Sequence, residues 1–235
     1  MALPFFYLPF IDERGSLITL DEETSKHIIG VLRMTEREKI HLTDGKGHLL
    51  TAEITDPHKK MCVVRIIASE SVPHAKKPIT IALSLLKNGS RFEWFVEKAA
   101  ELGVSEIIPM LCERSEKLHF RMERKKNILL SAMLQSQQTW MPVIHEPKKF
   151  TEIISTAEQE QKFIAHCIGY EKTNLADAIN SSAASSLVLI GPEGDFTKEE
   201  VGLALQQHYI PVALGATRLR SETAAVVAAA ILSIR

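Results

Sequence analysis

Cysteine is scarce in this chain, and its scarcity narrows the possible fold classes. The three cysteines, Cys62, Cys112 and Cys167, lie far apart and form no C-x-x-C pair. A disulfide framework needs paired cysteines, and a structural zinc site needs a close cluster of them. We therefore expect a reduced, cytoplasmic protein that is held together by an apolar core.

Long apolar runs and an excess of charge of one sign are also missing. No apolar run reaches 18 residues, and the first residues lack the basic region and apolar stretch of a secretory signal. We expect a soluble, non-exported chain with no membrane partner. The formal net charge is −1, so whole-molecule attraction to nucleic acid is not implied and any basic contact surface is local.

Three familiar cofactor motifs are absent as well. The chain has no G-x-x-x-x-G-K-[ST] phosphate loop, no G-x-G-x-x-G fingerprint and no H-E-x-x-H metal motif. Their absence weighs against nucleoside triphosphates, dinucleotides and zinc. We expect no metal cofactor.

The pattern of apolar residues divides the chain into two parts. The chain has 235 residues, 45% of them hydrophobic, which is enough for two domains with their own cores. Residues 1–72 predict a small β-rich module with strands at 5–8, 16–20, 40–43, 48–54 and 61–68. A helix over 21–33 interrupts them, and the DGKG sequence at 44–47 predicts a hairpin turn. Two prolines and two lysines at 73–78 mark the boundary.

Residues 73–235 alternate between predicted strands and helices. The strands are expected at 79–86, 107–112, 163–167, 187–190 and 210–214, and the helices at 91–102, 122–138, 197–208 and 221–235. This alternation predicts an α/β domain with a mostly parallel sheet. The last helix is apolar on nearly all sides, so we expect it to be packed on most of its circumference.

The two most informative segments are glycine turns that connect a strand to a helix. GPEGD at 191–195 follows the strand at 187–190, and LGATRLRSETA at 214–224 follows the strand at 210–214. Parallel strands end at one edge of a sheet, where open α/β sheets bind ligands and helix N-termini offer positive charge. We expect the two turns to form one composite pocket.

Each turn also has a purely structural interpretation. Thr197 and Glu200 fit a capping box, which explains Thr197 without a ligand. A capping box does not explain Gly191, Glu193 and Gly194, which suit close approach of the backbone and an acid beside a ligand. In the second segment, Arg220 and Glu222 could be a surface ion pair with Ser221 as the helix cap. Both interpretations of the second segment stay open.

Basic residues suggest a second function, which is contact with RNA. Lys87 and Arg91 follow the strand at 79–86. The stretch 114–126 combines six basic residues with His119 and Phe120. A solvated surface is the ordinary explanation for such runs, and a basic patch that contains an aromatic residue also suits RNA. His27 and Arg33 could likewise be the polar positions of an amphipathic helix.

Several blocks together, in order along nearly the whole chain, resemble the RsmE family of SPOUT-class methyltransferases, which methylate N3 of a uridine in 16S ribosomal RNA. The blocks are GVLR at 30–33 after His27, Lys87, KAAELGV at 98–104, Arg114 with Ser115, IGPEG at 190–194 and LRSETA at 219–224. The resemblance implies a PUA-like β-barrel for RNA at 1–72 and an α/β domain with a deep trefoil knot at 73–235. It also implies S-adenosylmethionine as methyl donor, a homodimer, and 16S rRNA or the small ribosomal subunit, not DNA, as partner.

The resemblance also suggests roles for individual residues. Arg220 and Glu222 would be catalytic, with Arg220 stabilising charge on the uracil and Glu222 orienting Arg220 or the pocket. Arg33, His27, Lys87, Arg91 and Arg114 would contact RNA. The donor would contact Leu189, Ile190, Gly191, Glu193, Gly194, Leu214, Gly215, Leu219, Ser221, Thr223, Ala224 and His166. His166 is expected to be a pocket wall or a buried histidine, and it is also the one candidate general base. The alternatives are a different base or a ribose 2′-hydroxyl as target, and a non-catalytic RNA-binding assembly protein.

The chain departs from the family pattern at three places. Asp195 stands where the family usually has a third glycine, which affects access to the pocket. The family also carries arginine before Phe5 and Phe6, and a Glu-Gln-Ser-x-Arg stretch where residues 134–138 read LQSQQ. Leu134 and Gln138 thus replace an acid and an arginine that concern RNA or the partner subunit.

Overall fold

A computed structural model describes residues 3–10, 16–115, 120–169 and 171–234. Lys117 and His119 of the predicted basic stretch lie outside these ranges. The chain divides into two compact units. The first runs to His74 and also takes in Met133–Met141, and the second consists of Ala75–Ala132 and Pro142–Arg235.

The first unit is built on a five-stranded sheet. Its elements are β1 (Phe5–Tyr7), β2 (Leu17–Thr19), α1 (Glu22–Lys26), a π-helix (His27–Val31), β3 (Lys39–Thr43), β4 (His48–Asp56) and β5 (Val63–Ser71). The strand order is β1-β3-β4-β5-β2. The β1–β3 pair is parallel and the other pairs are antiparallel. Alternate residues of β4, Leu50, Ala52 and Ile54, point into the core together with Ile28 and Leu42.

The helix predicted over residues 21–33 is shorter and irregular. Asp21 caps α1 by accepting a hydrogen bond from the Thr24 amide at 2.9 Å. The helix then widens into the π-helix, and Arg33 follows with φ of +55°. Because that left-handed conformation cannot continue a helix, the helical stretch ends before Arg33. π-Helical turns of this kind are frequent at functional sites.

The predicted hairpin joins β3 and β4, and it packs against a segment that is distant in sequence. Gly45 and Gly47 adopt positive φ values of +68° and +98°. A Cβ atom on Gly47 would overlap the Trp140 ring. The Trp140 indole also donates a hydrogen bond to the Val72 carbonyl at 2.9 Å. The return of residues 133–141 to the first unit was not predicted.

The second unit contains an eight-stranded sheet. Its elements in chain order are β6 (Ile79–Ser84), α2 (Gly89–Glu101), β7 (Glu106–Leu111), α3 (Met122–Gln135), β8 (Val143–Ile144), β9 (Lys148–Lys149), α4 (Phe150–Thr156), β10 (Gln161–Ala165), β11 (Thr173–Asn174), α5 (Leu175–Ala178), β12 (Ser186–Ile190), α6 (Lys198–Gln206), β13 (Ile210–Ala213) and α7 (Ser221–Ser233). The strand order is β11-β13-β10-β12-β6-β7-β8, and β9 pairs with β7.

All strand pairs of this sheet are parallel, in agreement with the alternating sequence pattern. The central strands β6 and β12 are buried at every position, as expected where helices cover both faces. The prediction missed the short elements β8, β9, α4, β11 and α5. The predicted end of α3 was also wrong, because the helix stops at Gln135 and Gln137 has a φ of +55°.

Helix α7 differs from the expectation that it is packed nearly all round. It packs against α2, α5, β6 and β12. Its fully buried residues beyond the first turn form one stripe, Ala225, Ala228, Ala229 and Leu232. Val226, Val227, Ala230 and Ile231 are only half-buried, and Ile234 just beyond the helix is 81% exposed. The described residues therefore cover one apolar face of α7 only in part.

Among the described residues, no helix combines the length and apolar character needed to cross a membrane.

Candidate functional site

A cavity of about 630 Å³ lies at the carboxyl ends of β10, β12 and β13. This volume is typical of a pocket for a small organic ligand. Both glycine turns and the segment after β10 contribute to its walls. The lining residues are Ala165, His166, Cys167, Lys172, Ile190, Gly191, Pro192, Glu193, Asp195, Val212, Ala213, Leu214, Gly215, Ala216, Thr217, Arg218, Leu219, Arg220, Ser221 and Ala224.

The structure brings most of the predicted ligand-contacting residues to this cavity. They are Ile190, Gly191, Glu193, Leu214, Gly215, Leu219, Ser221, Ala224 and His166. Three others do not line it. Leu189 is buried in the core, Gly194 is exposed beside Arg114, and Thr223 is half-buried in the first turn of α7.

The sequence analysis did not identify Cys167 and Lys172 as cavity residues. Cys167 is the residue after His166 at the end of β10, so the strand-end argument that selected His166 also applied to it. Lys172 carries no motif that would have identified it. Its ammonium group donates to the carbonyl oxygens of His166 at 2.9 Å and Ile168 at 3.1 Å. Lys172 therefore folds the segment after β10 onto itself at the cavity wall.

The two predicted catalytic residues occupy different environments. Arg220 is exposed, lines the cavity and directly precedes α7. Glu222 is buried and does not line the cavity. One carboxylate oxygen of Glu222 lies 3.6 Å from Nε of Arg91, and its other oxygen has no hydrogen-bond partner among the described residues. The carboxylate of Glu222 makes no hydrogen bond or ion pair with Arg220 among the described residues, and its contact is with Arg91. The role of Glu222 in orienting Arg220 or the pocket stays a prediction.

The structural alternative for the second turn is also incorrect. Ser221 is the first residue of α7 and the cap position is Arg220, which makes no side-chain capping bond. Arg220 forms neither an ion pair nor a side-chain hydrogen bond with the described residues. Of the two turns, only the first leads into a helix with a side-chain cap.

The capping box predicted for the first turn is confirmed. Thr197 Oγ1 accepts from the Glu200 amide at 3.1 Å, and Glu200 Oε2 accepts from the Thr197 amide at 2.8 Å. The other Glu200 oxygen accepts from the Glu113 amide at 2.9 Å. Thr197 and Glu200 therefore have a structural role, and they fix the end of the 191–197 loop.

The remaining residues of this loop contact three neighbouring segments. Glu193 accepts a hydrogen bond from the Lys87 amide after β6 at 3.1 Å. Arg114, after β7, donates from Nη1 to the Gly194 carbonyl at 2.6 Å. Asp195 accepts from the Cys167 amide after β10 at 2.8 Å. These contacts fasten the loop to the ends of three strands.

Gly191 is a glycine for steric reasons. A Cβ atom there would lie 3.1 Å from two ring carbons of Phe196 and 3.2 Å from its amide nitrogen. Phe196 is fully buried, so it cannot move away without disturbing the core.

His166 has altered acid–base properties in this cavity. Burial lowers the pKa of its imidazole below the ordinary value, and the positive charge of Lys172 lowers it further, while Asp195 acts in the opposite direction. The ring is therefore neutral at pH 7.

The predicted RNA-contacting residues are divided between the units. His27 and Arg33 belong to the first unit, where the His27 ring packs edge-on against Phe6 with centroids 5.7 Å apart and Arg33 is exposed. Lys87, Arg91 and Arg114 belong to the second unit, where Arg91 and Arg114 have the protein contacts described above.

Part of the basic stretch has a structural role. The Arg124 guanidinium donates to both carboxylate oxygens of Glu93 at 2.7 and 2.8 Å, and the buried Lys125 donates to the same carboxylate at 2.9 Å. These two cations lower the pKa of Glu93 to about 2. Lys125 also lies over the Phe120 ring. Arg124 and Lys125 thus do not support the RNA interpretation.

No group of three or more His, Cys, Asp or Glu side chains suited to a metal ion occurs in the part of the chain that the structure describes.

Comparison with known proteins identifies both parts of the chain. Residues 73–233 match the family model of an RNA methyltransferase domain, and residues 20–67 match that of an RNA methyltransferase PUA domain. The first match alone covers more than half of the chain.

Named relatives agree with the family models. A protein of Aquifex aeolicus named ribosomal RNA small subunit methyltransferase E is 28% identical over 94% of this chain and 96% of its own length. A protein of Synechocystis with the same name is 28% identical over 91% of this chain and 71% of its own length.

Solved structures of similar proteins have the same fold. A protein of Porphyromonas gingivalis, named a "probable rRNA-methyltransferase", is 35% identical with a TM-score of 0.87 over 97% of this chain and 95% of its own. Ribosomal RNA small subunit methyltransferase E of Neisseria gonorrhoeae, solved bound to S-adenosyl methionine, is 29% identical with a TM-score of 0.87 over 99% and 98% of the two chains. From these matches and the parallel sheet with its strand-end cavity, we conclude that the chain belongs to the family of RNA methyltransferases with an N-terminal PUA domain.

Proposed function

We propose that this protein transfers the methyl group of S-adenosylmethionine to N3 of a uridine in the 16S rRNA of the small ribosomal subunit. The observation that carries the proposal is the cavity formed by the two glycine turns at the carboxyl ends of β10, β12 and β13. The names of the relatives support the rRNA substrate, and the donor-bound neighbour supports the cofactor.

The residues of the cavity fit the chemistry of this cofactor. When bound, S-adenosylmethionine supplies a methyl group already activated on a sulfonium. Ile190, Leu214 and Leu219 offer apolar contact to the adenosine. The acid Glu193 suits the amino group of the methionine part, and the N-terminal end of α7 suits its carboxylate.

Arg220 is the proposed catalytic residue at the substrate side. Uridine N3 must lose its proton, which passes to solvent water, and the negative charge that results spreads over the two neighbouring carbonyl oxygens. A guanidinium placed beside those oxygens stabilises this charge as it develops. Glu222 acts on the site indirectly, because the side chain that it contacts is Arg91. His166 is neutral and therefore adds no repulsion to a sulfonium in the same cavity.

We infer that the first unit binds the RNA substrate, with Arg33 and His27 among its contacts. Arg33 is exposed immediately after the π-helix, where a positive φ turns the chain away from the helix axis. A target base must leave its stack before a cavity of this kind can receive it.

An rRNA substrate implies action in the cytoplasm of the bacterial cell. The trefoil knot of the second unit stays a prediction.

We also propose a homodimer that covers the partly exposed apolar face of α7. Val227, Ile231 and Ile234 are partly or largely exposed, and Ser221 and Ala224 of the same helix line the cavity. Ile231→Glu should convert a dimer to a monomer in light scattering, while the exposed-site variant Glu199→Gln should leave the mass unchanged. A wild-type protein that is monomeric at assay concentration would contradict this part of the proposal.

The proposed reaction is tested by nucleoside analysis. Small subunits or 16S rRNA from a strain that lacks the enzyme are incubated with the protein and S-adenosylmethionine, and the RNA is digested for mass spectrometry. The expected product is 3-methyluridine. A methylated ribose or a different methylated base would favour another methyltransferase target. Failure to bind S-adenosylmethionine in calorimetry would favour a non-catalytic RNA-binding protein.

A further inference from the structure

We infer that Asp195 and Arg114 are positioning residues that hold the 191–197 loop between the segments after β10 and β7 and thereby fix one wall of the donor pocket. The inference rests on the proposed function for the identity of the ligand. The contacts themselves are independent of any ligand.

Asp195 has an unusual backbone conformation that its side chain compensates. Its φ is +61°, in the left-handed region that favours glycine and that aspartate and asparagine tolerate better than other residues. One carboxylate oxygen accepts from the Phe196 amide at 2.8 Å and the other from the Cys167 amide at 2.8 Å. A glycine would adopt the same φ freely but would leave both amides without this acceptor.

The contact with Cys167 places the segment after β10. Cys167 and the preceding His166 both line the cavity. The carbonyl of His166 accepts from Lys172 at 2.9 Å, so the segment is held on one side by Lys172 and on the other by Asp195. The carboxylate of Asp195 therefore determines how far this segment stands from the 191–197 loop.

Arg114 holds the same loop from the other side. Its Nη1 donates to the carbonyls of Gly194 at 2.6 Å and Phe196 at 3.4 Å, which flank Asp195. A Cβ atom on Gly194 would touch Arg114 Cδ at 3.4 Å, so the aliphatic part of the arginine lies along the glycine. This use of the guanidinium by the loop opposes the assignment of Arg114 as an RNA contact.

The loop is thus fixed before any ligand arrives. Hydrogen bonds that involve a charged group are about twice as strong as neutral ones. Removal of either side chain frees the loop to adopt other conformations, and the donor must then bind the competent fraction only. We expect a loss of donor affinity without a loss of RNA affinity.

The first test is calorimetric titration of S-adenosylmethionine into Asp195→Gly, Asp195→Asn, Arg114→Ala and Arg114→Lys without RNA. We expect roughly tenfold weaker binding for Asp195→Gly and Arg114→Ala. Asp195→Asn should recover part of the affinity because asparagine tolerates the left-handed conformation and keeps one acceptor oxygen. Glu199→Gln, an exposed acid in the first turn of α6, is the matched control and should bind as the wild type does.

The RNA affinity of the same variants separates the two roles of Arg114. Unchanged donor affinity in Arg114→Ala together with weaker RNA binding would overturn the positioning role. Unchanged RNA affinity together with weaker donor binding supports it.

The second test needs no ligand. Hydrogen exchange of the Cys167 amide is measured in the free protein, where we expect about tenfold faster exchange in Asp195→Gly than in the wild type and no change in Glu199→Gln. Equal exchange in Asp195→Gly and wild type would overturn the inference. A wild-type protein that does not bind S-adenosylmethionine would refute the proposed function, and the exchange result would still decide whether Asp195 positions the loop.

Discussion

The two glycine turns at the cavity look alike in sequence but are held very differently. The 191–197 loop is fastened by Glu193, Arg114 and Asp195 to segments that follow three other strands, and it ends in a capping box. In the 214–220 loop, by contrast, no side chain forms a hydrogen bond or ion pair with the described residues. Gly215, Ala216, Thr217, Arg218 and Arg220 are all exposed.

This contrast suggests that the two loops have different functions in the pocket. The first loop has a fixed shape before binding, so less conformational entropy of the loop is lost when a ligand binds. The second loop presents Arg218 and Arg220 to the cavity, and neither side chain is bonded to the described residues, so both are available to donor and RNA. We therefore expect the first loop to form a preformed wall of the donor pocket, and the second loop to contact the donor through Leu214 and Leu219 and the substrate through Arg220.

The largest effect should come from the second loop. Arg220→Ala removes the guanidinium that is proposed to stabilise charge on the uracil, and the loss of such a group typically costs about 3 kcal/mol, or roughly a hundredfold in kcat. Turnover is measured at saturating donor. Arg220→Lys keeps a positive charge and should lose less. Near-normal turnover in Arg220→Ala would remove the catalytic role.

The next effect in size should be a loss of stability, caused by a steric change in the first loop. Gly191→Ala places a methyl group 3.1 Å from the buried Phe196 ring, and overpacking of this kind costs about 1–3 kcal/mol. Gly202→Ala in α6 is the matched control. A Cβ atom there meets nothing within 4 Å, so alanine should stabilise the helix slightly. Urea unfolding of both variants measures the difference, and equal stability would show that the loop is not tightly packed.

The helix starts provide a direct comparison of the two turns. Thr197→Ala removes the capping box and should destabilise the protein by about 1 kcal/mol. Ser221→Ala should cost less because α7 begins without a side-chain capping bond. Thermal unfolding of the two variants tests this order. An equal loss in both would contradict the distinction between a fastened and an open turn.

The weakest predicted effect is a pH dependence at the cavity wall. The pKa of His166 is lowered in the folded protein from its ordinary value of 6.5. Below pH 6.5 the unfolded chain therefore binds a proton that the folded protein resists, so this contribution to stability is complete above 6.5 and falls as the pH decreases. His166→Gln should remove the contribution. Parallel stability profiles of the two proteins between pH 8 and pH 5.5 would argue against it.

Much of the second unit was predictable from sequence because its signals are local. The segments that became β6 and β12 are mostly apolar and are bounded by turn residues. The spacing of Phe92, Phe95, Val96 and Ala99 fits one helix face, which is buried as expected. The two-residue strands β8, β9 and β11 have no such signal, because they exist only through pairing with distant strands.

The site was predictable in part for a similar reason. The spacing of the glycines identified both turns in the sequence. Both turns line the cavity, as expected because parallel strands end at the same edge of the sheet. The partners of Glu222, Arg114 and Asp195 were not predictable, because Arg91, Gly194 and Cys167 lie 131, 80 and 28 residues away along the chain. The packing of Trp140 in the first unit could not be predicted for the same reason, because its contacts are also distant along the chain.

We infer that the 191–197 loop is fixed before the donor binds and that the 214–220 loop becomes ordered when the donor binds. Hydrogen exchange with and without S-adenosylmethionine measures this directly. We expect slow exchange in both states for the amides of Asp195, Phe196 and Thr197, which are hydrogen-bonded in the free protein. We expect fast exchange in residues 214–220 that slows when the donor binds. Slower exchange on binding in the first loop alone, or no change in the second, would contradict it.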